Sequence, residues 1–185
     1  MLILLGGVSG SGKDTIKNAI LERMDNVVSI PSYTSRPMRE GDIPGITYNF
    51  VSQEEFKKLI DDGELYEYDF HHDNFYGTSK RLLNARLDEG LSVIKDIDVN
   101  GIANLKKIFE GDMKVISIFL RVPKDILVQR IKERNPEMTE EELELRLSRM
   151  EYEESKIPEF DYVVDNINLE DTINEIVDII NKEED

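Results

Sequence analysis

Cysteine is absent from the 185 residues, which excludes disulfides, thiolate nucleophiles and cysteine-ligated zinc. A chain without it suits a reducing compartment. Basic residues are the minority: 23 Lys and Arg stand against 39 Asp and Glu, for a formal charge of −16. Such a surface repels phosphodiester backbones and anionic lipid, so neither nucleic acid nor a membrane is expected as a partner. It also makes a local cluster of arginines informative, because the surrounding field opposes anions there. No apolar run approaches the roughly 18 residues of a spanning helix. The opening Met1-Leu2-Ile3-Leu4-Leu5-Gly6 is short and lacks the basic flank of a secretory leader, so a cytoplasmic location is expected. Histidine occurs only as the adjacent pair His71-His72, outside every motif below, and is read as surface. There is no internal repeat and no low-complexity segment.

At 39% hydrophobic residues the chain can build a core, and its length favours one domain or one core with an inserted lobe. Short apolar runs over 2–5, 27–30, 92–97, 114–120 and 162–164 read as buried strands, several of them nearly continuous Val, Ile and Leu. Between and after them, about 13–24, 99–109, 124–134, 139–155 and 169–182 carry helical spacing. Thr139 with Glu142 forms a capping box before the fourth. Strand–helix alternation predicts an α/β fold with a parallel five-stranded sheet flanked by helices. Residues 32–90 break that rhythm. They hold a Gly/Pro loop, a short strand near 47–51, a helix opened by Ser52 with Glu55 and ended by Gly63, and an alternating strand over 64–70. The expected organisation is a core of 1–31 and 91–185 with an α+β lobe inserted at 32–90.

The strongest local signal is Gly7-Val8-Ser9-Gly10-Ser11-Gly12-Lys13-Asp14-Thr15, between an apolar strand and a helical pattern. Glycines let backbone N–H groups turn inward around a phosphate, and the helix adds its positive end. Lys13 would reach the β- and γ-phosphates of a bound nucleotide. A Ser or Thr normally follows that lysine and places a hydroxyl on Mg²⁺; here the residue is Asp14. A carboxylate is also a hard oxygen ligand, although it could instead repel the phosphates. Thr15 is displaced by about 100° around the helix.

In the inserted section, Arg36 and Arg39 lie close together on a loop, with Tyr48 and Tyr76 as further donors. Arginine forks and phenol hydroxyls suit a phosphate monoester. Glu67, among aromatics on an alternating strand, reads as a partly buried carboxylate in need of a partner. Guanine N1–H and its 2-amino group form such a partner, and adenine lacks both. Ser32 and Thr78 carry hydroxyls that can donate to guanine O6. Asp96 and Asp98 end a hydrophobic strand, at the sheet edge where open α/β folds bind ligands; the alternative for Asp98 is an N-cap of the helix starting near Val99. Arg130 and Arg134 share one helix face, and Arg146 follows a polar stretch that could move as a lid.

The run Ser32-Tyr33-Thr34-Ser35-Arg36-Pro37-Met38-Arg39-Glu40-Gly41-Asp42-Ile43-Pro44-Gly45-Ile46-Thr47-Tyr48-Asn49-Phe50 resembles the acceptor segment of guanylate kinases, P-loop nucleoside monophosphate kinases. Glu67 in Leu65-Tyr66-Glu67-Tyr68, the Asn74-Phe75-Tyr76-Gly77-Thr78 run, Asp96-Ile97-Asp98 and the later arginines are similar as well, in the same order. The resemblance implies a P-loop NTPase core, an inserted GMP-binding lobe and a helical lid over about 130–146. It implies ATP at residues 7–15 and Asn166, and GMP at Ser32, Arg36, Arg39, Tyr48, Glu67, Tyr76, Thr78 and Asp98. Lys13, Arg36, Arg39, Arg130, Arg134 and Arg146 would act in transfer, with Mg²⁺ at Asp14 and Asp96. Lys95 departs from the family, which usually has an apolar residue there. The implied reaction is ATP + GMP to ADP + GDP, with dGMP as a further acceptor, by a monomer or homodimer. Two rivals are a ribose 1,5-bisphosphate kinase, which shares the Gly-Lys-Asp loop, and a guanylate-kinase-like binding module.

Overall fold

The computed structural model of the chain describes every residue except His72 and Asp185, and every side chain except those two and those of His71 and Arg134. The surface reading of the histidine pair therefore lies outside the described residues. In chain order the first elements are β1 (Leu2–Gly6), α1 (Lys13–Arg23), β2 (Val27–Ser29), β3 (Ser32–Thr34), β4 (Tyr48–Phe50), α2 (Gln53–Asp61), β5 (Leu65–His71) and β6 (Asn74–Ser79). Then follow α3 (Lys80–Asp88), β7 (Ser92–Asp96), α4 (Val99–Ile108), β8 (Val115–Arg121), α5 (Lys124–Arg134), α6 (Glu140–Ser155), β9 (Tyr162–Asp165) and α7 (Leu169–Glu184).

The first sheet is parallel throughout, in the order β2-β7-β1-β8-β9. Its centre, β1, is apolar at successive positions because both faces are covered. Ile3 and Leu5 meet Ile16 and Ile20 of α1 and Ile173, Ile176 and Ile180 of α7. Leu2 and Leu4, pointing the other way, meet Leu83 of α3 and Ile102 and Leu105 of α4. A third cluster ties Val8 of the first βα connection to Leu127 and Ile131 of α5 and Leu143 and Met150 of α6. The expected parallel sheet flanked by helices is present, and both capping boxes form, Ser52 with Glu55 and Thr139 with Glu142.

The second sheet runs β4-β3-β6-β5, with β3 parallel to β4 and antiparallel to β6. Ser32 pairs with Tyr48, Thr34 with Tyr76 and Glu67 with Thr78. Paired positions and second neighbours share a face, so Ser32, Tyr48, Glu67, Tyr76 and Thr78 all project from the same one. A bulge decides that arrangement. Leu65 pairs with Ser79, but the register shifts by one before Glu67 meets Thr78. Were the Leu65–Ser79 register to continue unshifted, Glu67 would oppose Gly77 and point to the other face. That other face is packed by α2: the fully buried Phe56 stacks on Phe75 at 5.1 Å. A Cβ at Gly77 would lie 3.0 Å from the Phe56 ring. Phe56→Ala should therefore lower the unfolding free energy by about 3–5 kcal/mol, measured by denaturant titration.

Candidate active site

The β1–α1 connection wraps back on itself between Gly7 and Gly12. Gly7 has φ +136°, and a Cβ there would sit 2.7 Å from the Leu120 carbonyl oxygen. Gly12 has φ +93°, and its Cβ would sit 2.7 Å from Asn166 Nδ2. The Leu120 carbonyl cannot yield, and the left-handed φ at both positions favours glycine. Val8 is buried against the α5 and α6 cluster, while Ser9 is exposed and Gly10 half-buried. Ser11 is buried, and among the described residues no group bonds its Oγ. Asn166 is 4% exposed, its side-chain amide donating to the Ser11 carbonyl at 2.6 Å and its backbone carbonyl accepting from Arg130 at 3.2 Å. One N–H of its side chain thus helps to fix the shape of the loop.

Lys13 opens α1 and folds back, donating to the carbonyls of Gly7 at 2.5 Å and Val8 at 3.2 Å. Burial lowers its pKa, opposed by the carboxylates of Glu153, Asp96 and Asp14. Glu153, on α6, is a residue the sequence reading missed. Burial pushes its carboxyl up against the pull of Lys13, and its Oε2 has no hydrogen-bond partner among the described residues. Only the helical spacing that carries Met150 inward hints at its position.

Asp14 and Thr15 are exposed in the first turn of α1. Lys17, one turn on, donates to Asp96 and lies 3.5 Å from Asp14. Burial opposes the Lys17 charge, but Asp96 outweighs it and holds the pKa up; burial likewise raises Asp96, and Lys17 outweighs it, so that carboxyl sits low. The donors fit a divalent ion in part. Mg²⁺ keeps several waters and takes one or two carboxylates plus substrate phosphates. Asp14, with its side chain 83% exposed, is open to such an ion, whereas Asp96 is already neutralised by Lys17. Among the described residues no group of three or more acidic or histidine side chains could hold a metal.

The acceptor half gathers on the shared face of the second sheet. Arg36 is 8% exposed, paired with Asp42 at 2.9 Å and seated over the rings of Tyr48 at 5.2 Å and Phe50 at 5.5 Å. Asp42 also accepts from the Arg39 backbone at 2.7 Å, which leaves the Arg39 side chain on the exposed part of the loop. Tyr48 meets Tyr76 edge-on at 6.0 Å. Burial, then Asp96, Tyr76 and Asp14, push the Tyr48 hydroxyl up to about 12, so it stays a donor. Lys95 donates to Ser32 while the adjacent Asp96 accepts from Lys17 of α1, which places the acceptor face beside the phosphate loop.

Deeper on that face, Thr78 Oγ1 donates to Glu67 Oε1, and both residues are buried. This revises the expectation for Thr78: its proton goes to Glu67, so it orients the carboxylate and does not offer a donor to O6. Burial raises the Glu67 carboxyl, with Thr78 and Lys95 pulling it back. Ser32 Oγ accepts from Lys95 and keeps its own proton free. Asp98 caps α4, accepting from Asn100 N at 2.8 Å and Gly101 N at 3.0 Å, as its helix-capping alternative had it. On the lid side, Arg130 is half-buried against Asn166, and Arg146 is exposed on α6. Arg134 ends α5, and its side chain lies outside the described residues.

The geometry thus sets the glycine loop beside a sheet face that carries Arg36, two tyrosines and a buried carboxylate. The guanylate kinase family model matches residues 1–183. The chain belongs to the guanylate kinase family. Relatives bearing that name include one from Chlorobium luteolum, 37% identical over 95% of this chain and 88% of its own length. Another, from the Wolbachia of Brugia malayi, is 38% identical over 99% of this chain and 93% of its own. The crystal structure of guanylate kinase from Anaplasma phagocytophilum superposes with a TM-score of 0.80 at 30% identity, covering 99% of this chain and 85% of that one. A sugar kinase from Janibacter shares the fold alone, at TM-score 0.54 and 19% identity. Membership in the guanylate kinase family makes the chain an ATP-dependent nucleoside monophosphate kinase by class. Among the described residues, no helix is long and apolar enough to cross a membrane.

Proposed function

We propose that the chain transfers the γ-phosphoryl group of ATP to GMP, and to dGMP, yielding ADP and the nucleoside diphosphate. The observation that carries this reading is the single sheet face on which Glu67 and Ser32, suited to guanine, stand with Arg36, Tyr48 and Tyr76, suited to its phosphate. Residues 1–31 and 91–185 act as the ATP-binding core, 32–90 as the acceptor lobe and 130–146 as a lid.

A terminal oxygen of the GMP phosphate attacks the γ-phosphorus in line as the bond to the β,γ-bridging oxygen breaks. The nucleophile is already anionic, so no strong base is needed, and catalysis rests on positioning and charge. Lys13 leaves the Gly7 and Val8 carbonyls for the β- and γ-phosphate oxygens. Arg130, Arg134 and Arg146 close over the nucleotide, while Arg36, Arg39, Tyr48 and Tyr76 hold the acceptor phosphate. Asp14, exposed in the first turn of α1, would hold Mg²⁺, which would supply further neutralisation of the phosphate charge. Closure of lobe and lid excludes water and suppresses hydrolysis of ATP.

A coupled assay with ATP·Mg²⁺ and GMP, AMP, UMP, IMP or ribose 1,5-bisphosphate tests the reading. Turnover of GMP at about 10 s⁻¹ or faster and at least tenfold weaker use of IMP are expected. Turnover of ribose 1,5-bisphosphate alone, or GMP binding without turnover, would sink it.

A further inference from the structure

Lys95 is the penultimate residue of β7, after the fully buried Val93 and Ile94, and is itself 2% exposed. A buried ammonium costs stability at such a place, and burial pulls its pKa down against the carboxylates of Glu67 and Asp96. The mechanism does not use it. Its Nζ donates to Ser32 Oγ, on the face that carries Glu67 and Thr78.

We propose that Lys95 sets which purine edge the acceptor site takes: by donating to Ser32 it fixes that hydroxyl as a donor, so a 6-oxo purine is accepted and a 6-amino purine refused. The inference rests on the reading of this face as the purine monophosphate site.

A serine hydroxyl has one proton and two lone pairs, and an ammonium only donates. One lone pair of Ser32 is therefore occupied; its proton and one lone pair remain, and the buried cation beside the oxygen weakens that lone pair as an acceptor and strengthens the hydroxyl as a donor. A 6-oxo group accepts that proton. A 6-amino group brings its own N–H against it, and would have to use a lone pair already drawn toward Lys95. The low dielectric of the site strengthens both effects. Thr78 cannot share the task, because its proton is committed to Glu67. The purine edge is thus read by two separate pairs: Thr78 with Glu67 for the 1- and 2-positions, Lys95 with Ser32 for the 6-position.

The test compares GMP with 2,6-diaminopurine riboside 5′-monophosphate, which keeps the 2-amino group and exchanges the 6-oxo for a 6-amino group. IMP, which keeps the 6-oxo group and lacks the 2-amino, is the control. Lys95→Met should raise KM for GMP about tenfold with a smaller change in kcat, and lower the preference for GMP over the diaminopurine nucleotide about tenfold, the worth of one charge-assisted hydrogen bond. The preference for GMP over IMP should stay within about twofold, since that difference is read by Glu67. In a Ser32→Ala background, Lys95→Met should change the diaminopurine preference less than about twofold, because its partner is gone. A structural role alone would instead scale all acceptors together and move the melting temperature. If Lys95→Met does not fold, Lys95→Gln carries the test, with a neutral amide that leaves Ser32 able to donate or accept; the preference should fall severalfold. An unchanged diaminopurine preference in a folded variant, or an equal effect with and without Ser32, overturns the inference. A wild-type chain that does not phosphorylate GMP overturns the functional reading beneath it, a separate outcome.

Discussion

Lys13→Met should bind GMP normally, keep its fold and lose about 10²–10³-fold in kcat, or about 2.7–4 kcal/mol of transition-state stabilisation. Lys13 sits at the mouth of the glycine loop and donates to two loop carbonyls, Gly7 and Val8. Those contacts open a purely architectural alternative, in which the lysine holds the loop in shape. The loop, however, has other supports: Asn166 bonds the Ser11 carbonyl, and Val8 is buried in the cluster shared with α5 and α6. Gly7 is further held against the Leu120 backbone carbonyl, which no side chain can displace. Lys13 is thus free to leave its carbonyls when phosphates arrive, and burial favours the exchange, since a partly desolvated ammonium gains most from an anionic partner. Single-turnover rates with saturating ATP and GMP, together with ATP affinity by nucleotide displacement, separate the two. Weaker ATP binding with an intact single-turnover rate would make Lys13 architectural. A fall in the rate with GMP affinity preserved would place it on the transferring phosphoryl group. The variant also strips Glu153 of the cation that opposes its burial, so its carboxyl should take up a proton more readily.

The parallel sheet was legible because its central strands β1 and β8 are nearly continuous apolar runs buried on both faces, and because the loop after β1 requires glycine where the backbone turns. The second sheet was only half legible. β3 is three residues of Ser, Tyr and Thr, and β6 carries Gly77 in its middle, so neither shows the alternation that marks a strand. Helix α3 follows β6 directly, capped by Ser79, which accepts from Leu82 N at 3.3 Å, without the Glu that would have signalled a capping box. The acceptor residues could be named one by one, but their shared face depends on the bulge before Glu67, and spacing alone puts that carboxylate on the wrong side. The partners of Asp96, Ser32 and Arg36 were beyond sequence reasoning altogether. Lys17 and Asp96 are 79 residues apart, and Lys95 and Ser32 are 63 apart; side chains of those types pair with nearly anything nearby. Asp42 was passed over as a loop carboxylate, yet it organises both Arg36 and Arg39. The signal available was its place six residues after Arg36 in a loop otherwise short of acids.

Glu67→Gln should lower kcat/KM for GMP by about 10²–10⁴-fold, the worth of two hydrogen bonds to a charged acceptor at about 1.5–3 kcal/mol each. The amide is nearly isosteric, but Thr78 limits how it can sit. If the amide oxygen accepts from Thr78, as Glu67 does now, the NH₂ group faces the N1–H and 2-amino donors of guanine, donor against donor. If the amide turns over, one acceptor remains for two donors. IMP, with no 2-amino group, has one fewer bond to lose, so the preference for GMP over IMP should collapse along with the activity. The pH profile gives an independent readout. Burial holds the Glu67 carboxyl above its ordinary value of 4.5, against the pull of Thr78 and Lys95, and only the ionised form can accept both guanine donors. Affinity for GMP should therefore fall with acidity through a limb above pH 4.5, which Glu67→Gln abolishes. Stability should move the other way. A carboxyl whose pKa is raised by folding destabilises the native state once it is ionised, and that cost disappears as pH falls through the raised value. At pH 7 the glutamine variant, free of that cost, should melt no lower than the wild type, by calorimetry. A large drop in melting temperature would recast Glu67 as a structural carboxylate, whereas a large loss of GMP use without one would tie its burial to the base it binds.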